Sequence, residues 1–188
     1  MSARLAPLEP PFTPAVDDAL RRLMGPVDAP PLTLFRTIAH HEALLDRFRA
    51  TGATLLSFGL LPADERETLI QRTTARCGAA YEWGVHAAAF APGLGLSDEW
   101  LHATWNGDAG DPAFSERQAP LVRLADELHD TGTVADELWT QLDAHWSADE
   151  LVEAVCLAGF YHLVSYVCGA FAVEPEPWAV TPPRSGRP

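Results

Sequence analysis

Apolar residues at helical spacing, interrupted by proline and glycine, run through most of this sequence, and no stretch alternates as a β-strand does. This pattern leaves an assembly of packed helices as the fold. We therefore predict an all-α protein. The predicted helices, as residue ranges, are 33–58, 61–77, 79–90, 97–105, 115–129, 134–145 and 147–173.

The length of the chain fits one domain with extensions. Its 188 residues can bury a real core, and 47% of them are hydrophobic. Residues 1–32 are rich in proline, as are residues 174–188. We predict an N-terminal arm over 1–32, a helical domain over 33–173 and a C-terminal tail over 174–188.

The charge of the chain argues against nucleic acid as a partner. The formal net charge is −13, and the basic residues form no stripe. Binding to a phosphate backbone needs clusters of Lys and Arg.

Cysteine usage and the N-terminus favour a cytoplasmic protein. The three cysteines are widely spaced, unlike a secreted disulfide framework, so we expect Cys156 and Cys168 to be small buried residues. Residues 1–14 lack the basic-then-apolar order of a signal peptide.

Residues 151–173 form a long apolar segment that could be a membrane span by length. The segment contains Glu153, His162 and Ser165, and the rest of the chain has a soluble character. We therefore predict a buried bundle helix and no membrane insertion. Because such a helix commonly needs covering on more than one side, a homo-oligomer is expected.

An acid and an imidazole stand one helical turn apart, at Glu82 and His86. Residues at i and i+4 share a helix face. Glu67 lies upstream, and a continuous helix would separate it from His86 by roughly 30 Å. Gly78 is the expected break, so that the chain turns and Glu67 joins the pair.

This region resembles the carboxymuconolactone decarboxylase and alkylhydroperoxidase D (AhpD) superfamily. In the peroxidase branch, one helix carries Cys-x-x-Cys-x-x-x-His, and a glutamate precedes that histidine by nineteen positions. Glu67 and His86 match this glutamate and histidine, and the decarboxylase branch has a glutamate four residues before the histidine, as Glu82 is here. The resemblance implies an AhpD-like helical bundle that assembles as a dimer, trimer or hexamer.

The motif cysteines of the peroxidase branch are missing. Ala79 and Glu82 occupy their positions, and Cys77 lies nine residues before His86. Peroxidase chemistry of this kind needs two neighbouring thiols that cycle through a disulfide. A peroxidase that uses Cys77 is therefore the second choice.

The decarboxylase branch implies a cofactor-independent lyase or isomerase acting on a small lactone acid or keto acid. His86 would shuttle the proton, with Glu82 as its orienting partner and Glu67 as a second acid or base. A carboxylate in an apolar interior has a raised pKa and can act as the acid.

Further residues are candidates for binding this substrate. Arg72 and Arg76 could hold its carboxylate, and Tyr81 could donate a hydroxyl hydrogen bond. Trp83 could line the substrate site, although a core or interface position suits it better.

Other interpretations of the same residues stay open. Glu82 and His86 could be a solvated surface pair of little energetic weight, or the bundle could bind a small acid without turnover. Glu67, Glu82 and His86 could also hold a metal, but no fourth ligand is evident, and no metal is predicted. His162 is expected to be a core histidine and His129 a surface residue.

Overall fold

The protein is all-α in the computed structural model, which describes residues 3–24 and 29–184. Ten helices and no strand occur in these residues. The helices are α1 (Pro14–Met24), α2 (Thr33–Ile38), α3 (Glu42–Ser57), α4 (Ala63–Arg76), α5 (Ala80–Ala89), α6 (Ala91–Leu94), α7 (Asp98–Asn106), α8 (Gln118–Thr131), α9 (Asp136–Asp143) and α10 (Ala148–Phe171).

The predicted helix over 33–58 is in fact two helices, α2 and α3. The break follows from His41, which caps α3 by accepting a hydrogen bond from the Leu44 backbone N–H at 3.2 Å on its Nδ1. The apolar spacing continues across this boundary, and histidine is an uncommon N-cap, so neither signal in the sequence indicates that a new helix begins here. The remaining predicted helices are confirmed to within a few residues.

Helix α4 lies at the centre of the bundle and packs against α5, α7, α8 and α10. Its buried residues include Leu69 and Ile70, but also charged and amide side chains, among them Glu65, Glu67 and Arg72. Buried polar groups need hydrogen-bond partners. The neighbouring helices must therefore supply them.

The chain reverses at Gly78, as predicted. Gly78 has a φ of 64°, in the left-handed region that glycine enters without strain. Its N–H donates to the Ala75 carbonyl at 3.0 Å, and the Ala79 N–H donates to the Thr74 carbonyl at 2.9 Å. These bonds close α4 in a Schellman motif and send α5 back along it.

Helix α10 begins at the predicted capping box, in which Ser147 and Glu150 bond reciprocally. One face is buried in the bundle through residues such as Leu157 and Tyr161. In the described residues α10 alone has the length and hydropathy of a membrane span, and 44% of its most apolar window is buried inside the protein. One side of α10 therefore packs into the bundle, and the absence of membrane insertion stays a prediction.

Both terminal segments lie against the helices. The Arg4 N–H donates to the Phe171 carbonyl at 2.9 Å, and α1 adds Val16 and Leu20 to the core. The Val180 N–H donates to the Gly84 carbonyl at 3.1 Å. The boundaries predicted at 32 and 173 stay predictions, and residues 1–2, 25–28 and 185–188 lie outside the described part of the chain.

We expect Gly84→Ala to lower the free energy of unfolding by about 1–3 kcal/mol, because a Cβ there would stand 2.2 Å from the Val180 carbonyl oxygen. Urea denaturation measures this change. Gly52→Ala in α3 is the control, since its Cβ would meet only the Phe160 ring at 3.4 Å. Equal stability of the Gly84→Ala variant and the unmodified protein would contradict the close approach of the C-terminal segment.

Candidate active site

The imidazole of His86 lies between α4 and α5 and contacts Glu67. Its Nδ1 is 2.8 Å from Glu67 Oε2. The two side chains are 4% and 1% exposed. The reversal at Gly78 therefore brings together the two residues that a continuous helix would separate.

The other ring nitrogen of His86 faces two further groups. Tyr161 Oη of α10 is 3.0 Å from Nε2, and Glu82 Oε1 is 3.4 Å from the same atom. The Phe90 ring packs against the imidazole with centroids 4.9 Å apart. The imidazole is thus enclosed by two carboxylates, one phenol and one apolar ring.

These contacts make His86 basic. Burial by itself lowers the pKa of His86, but the charge and hydrogen bond of Glu67, together with Glu82, raise this pKa to about 9. At neutral pH His86 is therefore an imidazolium whose Nδ1–H donates to Glu67. Its Nε2–H points towards Tyr161 and Glu82 and is the transferable proton.

Tyr161 keeps its own proton in this site. Burial, and then the charges of Glu82 and Glu67, raise the pKa of Tyr161 well above its ordinary value. The phenol is therefore a neutral hydrogen-bond donor and acceptor next to the imidazolium.

One oxygen of Glu82 has no hydrogen-bond partner within residues 3–24 and 29–184. This atom, Oε2, is buried, and Glu82 is 6% exposed. A buried acceptor without a partner costs about 1–3 kcal/mol. A donor group of a bound molecule could remove that cost.

A guanidinium balances the charge of the site. Two nitrogens of Arg66, Nε and Nη2, are each 3.4 Å from Glu67 Oε1, and its Nη1 donates to the Leu56 carbonyl at 3.0 Å. Two carboxylates thus face one guanidinium and one imidazolium.

Arg72 and Arg76 do not reach this site, which corrects the expectation that they bind a substrate carboxylate. Arg72 is buried and makes two hydrogen bonds to Asp126, at 2.6 and 2.9 Å. Arg76 donates to Asp130 at 2.5 Å. Arg72 follows Glu67 by five residues, which is roughly 140° around a helix, so it points to α8.

Tyr81 and Trp83 also have structural partners. The Tyr81 hydroxyl donates to Glu176 at 2.7 Å and accepts from the Leu34 N–H at 3.1 Å, which ties the C-terminal segment to the bundle. The Trp83 indole donates to Thr104 at 3.1 Å. Neither fits the predicted donor or substrate-binding role.

Cys77 lies at the end of α4, and its thiol contacts His129 instead of His86. Its Sγ is 3.8 Å from His129 Nδ1, and His129 Nδ1 is 3.1 Å from His162 Nε2. His129 is half-buried and not a surface residue as predicted. The expectation of a buried cysteine fits Cys168, whereas Cys156 is exposed.

Tyr161 is the site residue that sequence analysis missed. A tyrosine within an apolar helix signals a polar partner, because a buried hydroxyl needs one. The sequence gives no direct indication that this partner is His86, which lies 75 residues upstream.

No protein-family profile and no curated protein matches this sequence. Solved structures do match it. The debrominase Bmp8, in a cysteine-to-alanine variant bound to 2,3,4-tribromopyrrole, has a TM-score of 0.76, 14% identity and 94% coverage of both chains.

Two further matches bear on the fold. An uncharacterised peroxidase-related protein from Silicibacter sp. TM1040 gives a TM-score of 0.77 at 16% identity, covering 92% of this chain and 93% of its own. An Agrobacterium tumefaciens protein of unknown function, proposed to be the antioxidant defence protein AhpD, gives a TM-score of 0.67 at 18% identity. The match covers 74% of this chain and 95% of that protein. The predicted AhpD-like, all-α fold is thereby confirmed.

The pKa of His86 predicts a pH dependence of stability. Because the folded pKa of about 9 exceeds the unfolded value of 6.5, the contribution is complete below pH 6.5 and is lost as pH rises through 9. The loss is on the order of 3 kcal/mol. Urea denaturation from pH 6 to 10 measures it.

We expect His86→Gln to flatten this pH dependence, whereas His102→Gln, at an exposed histidine, preserves it. An unchanged slope in the His86→Gln variant would contradict the imidazolium assignment.

Proposed function

We propose that this protein is a cofactor-independent acid–base enzyme, a lyase or isomerase that acts on a small lactone acid or keto acid. One observation carries the proposal: a buried imidazolium, held by Glu67, has its second ring nitrogen 3.4 Å from Glu82 Oε1, and the other oxygen of that carboxylate, Oε2, has no partner in the described residues. Such an arrangement can both deliver and remove protons.

A decarboxylation needs a proton donor next to the carbon that loses its carboxylate. In a decarboxylation, the C–C bond to the substrate carboxylate breaks, carbon dioxide leaves, and the electron pair stays in an enolate. His86 Nε2–H then gives its proton to the enolate carbon. Tyr161 donates a hydrogen bond that stabilises the enolate oxygen while the charge develops there.

An isomerisation uses the same groups in both directions. Glu82 Oε2 accepts a proton from the carbon next to the carbonyl group, and His86 returns one to a different carbon of the same enolate. Glu67 holds the imidazole through Nδ1, so that Nε2 is the nitrogen that reacts. Glu82 is then protonated and His86 is neutral, and transfer of the proton from Glu82 to His86 Nε2, which lies 3.4 Å from Glu82 Oε1, restores the starting state.

Arg66 takes the substrate-binding role that was expected of Arg72 and Arg76. Its contacts with Glu67, at 3.4 Å, are long for hydrogen bonds between charged groups. A substrate carboxylate could therefore compete for this guanidinium with little loss.

A peroxidase that uses Cys77 is the second candidate, favoured by the contact of its thiol with His129. A thiolate would attack the peroxide, form a sulfenic acid and release an alcohol, after which an external thiol would reduce it. This reaction would leave His86 without a role. A bundle that binds a small acid without turnover is the third candidate.

We also propose a homo-oligomer formed through α10. Val152, Val155, Leu163 and Tyr166 are exposed apolar residues of this helix, at spacings that place them along one side. A second copy of the chain, offering the same face, would cover them around a two-fold axis.

The cytoplasmic location of the protein stays a prediction.

Site variants test the proposed chemistry. We expect His86→Ala, Glu82→Gln and Tyr161→Phe each to lower kcat for lactone acids or keto acids, with the first two losing about 10²–10⁴-fold. The assay follows solvent deuterium entering the product, against a panel that also contains hydroperoxides and 2,3,4-tribromopyrrole.

Cys77→Ser is the matched control and should leave this turnover unchanged. Hydroperoxide turnover that Cys77→Ser abolishes and His86→Ala preserves would identify the peroxidase. Ligand-induced stabilisation without any turnover, surviving Glu67→Gln, would identify the binder.

The oligomer is tested by Leu163→Glu. A charge within an apolar interface should dissociate the assembly, which light scattering coupled to size-exclusion chromatography detects as a lower mass. Leu44→Glu is the matched control, since this leucine of α3 is 50% exposed and Leu163 is 48% exposed. A monomeric mass for the unmodified protein would contradict the proposal.

A further inference from the structure

Three potential metal ligands converge on one point outside the candidate active site. Cys77 ends α4, His129 lies in the last turn of α8, and His162 lies in the middle of α10. Their ligand atoms, Sγ, Nδ1 and Nε2, all lie within 4.8 Å of one another. All three side chains are half-buried, so an ion could reach them from solvent.

Two of the three separations are close to those around a tetrahedral ion. Zinc lies about 2.0–2.1 Å from histidine nitrogens and about 2.3 Å from a thiolate, so tetrahedral ligand atoms stand roughly 3.3–3.6 Å apart. The observed distances are 3.1 Å between the two histidine nitrogens and 3.8 Å between Cys77 Sγ and His129 Nδ1. Shifts of a few tenths of an ångström would match these two separations to the ion.

The His162 ring is already oriented for metal binding. Its Nδ1–H donates to the Ala158 carbonyl at 2.9 Å, which leaves the lone pair of Nε2 facing the other two ligands. A second-shell bond of this kind fixes the tautomer of many metal-bound histidines. The His129 ring stacks on it, with centroids 5.3 Å apart.

Hydrogen bonds within the cluster leave the Cys77 thiol without an acceptor on either histidine. His129 Nδ1 must donate its proton to His162 Nε2, because the other nitrogen of His162 is the donor to Ala158. His129 Nδ1 then has no lone pair left for the thiol of Cys77. A cation would remove the conflict, since all three atoms could offer it lone pairs.

We propose that Cys77, His129 and His162 bind a zinc ion, with water or a small ligand in the fourth position. A thiolate with two imidazoles is a donor set that selects zinc among the abundant divalent cations, since hard oxygen ligands suit magnesium and calcium. The positive charge of Arg76 repels a bound cation only weakly, because Arg76 is paired with Asp130 and Asp126.

The zinc site would join the ends of α4 and α8 to α10. His162 directly follows Tyr161, the residue that contacts His86, along α10. This proposal does not depend on the proposed reaction, because its ligands are separate from His86, Glu67 and Glu82.

Cobalt binding to the reduced, full-length protein tests the site. We expect one Co²⁺ per chain, with the near-ultraviolet charge-transfer band of a thiolate–cobalt bond and the intense visible bands of tetrahedral Co²⁺. Zn²⁺ should displace the cobalt and raise the Tm of the protein. A protein that binds no Co²⁺, or binds it without the thiolate band, would overturn the proposal without any variant.

Variants then assign the ligands. Cys77→Ser should abolish the thiolate band, whereas Cys156→Ser, at an exposed cysteine, should keep it. His162→Gln and His129→Gln should each weaken Zn²⁺ binding by at least about 100-fold, because each removes a direct ligand and the loss of an outer-shell partner alone costs up to that much. His145→Gln, which lies outside the cluster, is their control. Persistence of the band in Cys77→Ser would overturn the assignment.

Discussion

The burial of a polar helix is the constraint on which the rest of this structure depends. Helix α4 occupies the centre of the bundle, yet it carries Glu65, Glu67 and Arg72 into the interior. Each of these charges needs a partner of opposite sign with suitable geometry, because an uncompensated buried charge is strongly destabilising. Glu65 accepts hydrogen bonds from Arg117, at the N-cap of α8, and from the Trp146 indole, in the α9–α10 connection. Glu67 is paired with His86 of α5. Arg72 is paired with Asp126 of α8.

These pairs constrain the orientation of α4 at the candidate site. Buried ion pairs add little net stability compared with apolar residues of similar volume, but they favour one arrangement of the helices over others. A rotation of α4 that improved the contact of Glu67 would break the paired hydrogen bonds of Arg72. His86 is therefore held in place by interactions on the far side of α4 as well as by its direct contacts.

The part of the site that could be predicted was encoded locally. Glu82 and His86 are one turn apart, and a glycine at the end of α4 predicts the reversal that brings Glu67 to them. Tyr161 could not be predicted, since only the packing of α10 against α5 brings it to His86. The error over Arg72 has a different origin: the angular position of a residue five places after Glu67 already turns it towards another helix. The division of α2 from α3 was missed because it depends on an uncommon cap, His41.

The placement of thiols and carboxylates in this fold bears on its chemistry. In the resemblance to the peroxidase branch, Ala79 and Glu82 stand where the two cysteines would be, so the carboxylate of Glu82 faces His86 in place of a thiol. A thiol peroxidase needs a thiolate nucleophile, whereas an imidazolium between carboxylates offers a proton and an acceptor for one. The cysteine that does lie nearby in sequence, Cys77, faces two histidines across α8 and α10. The scaffold thus separates the Cys77 thiol from His86, and the proposed chemistry at His86 needs no change in the oxidation state of sulfur.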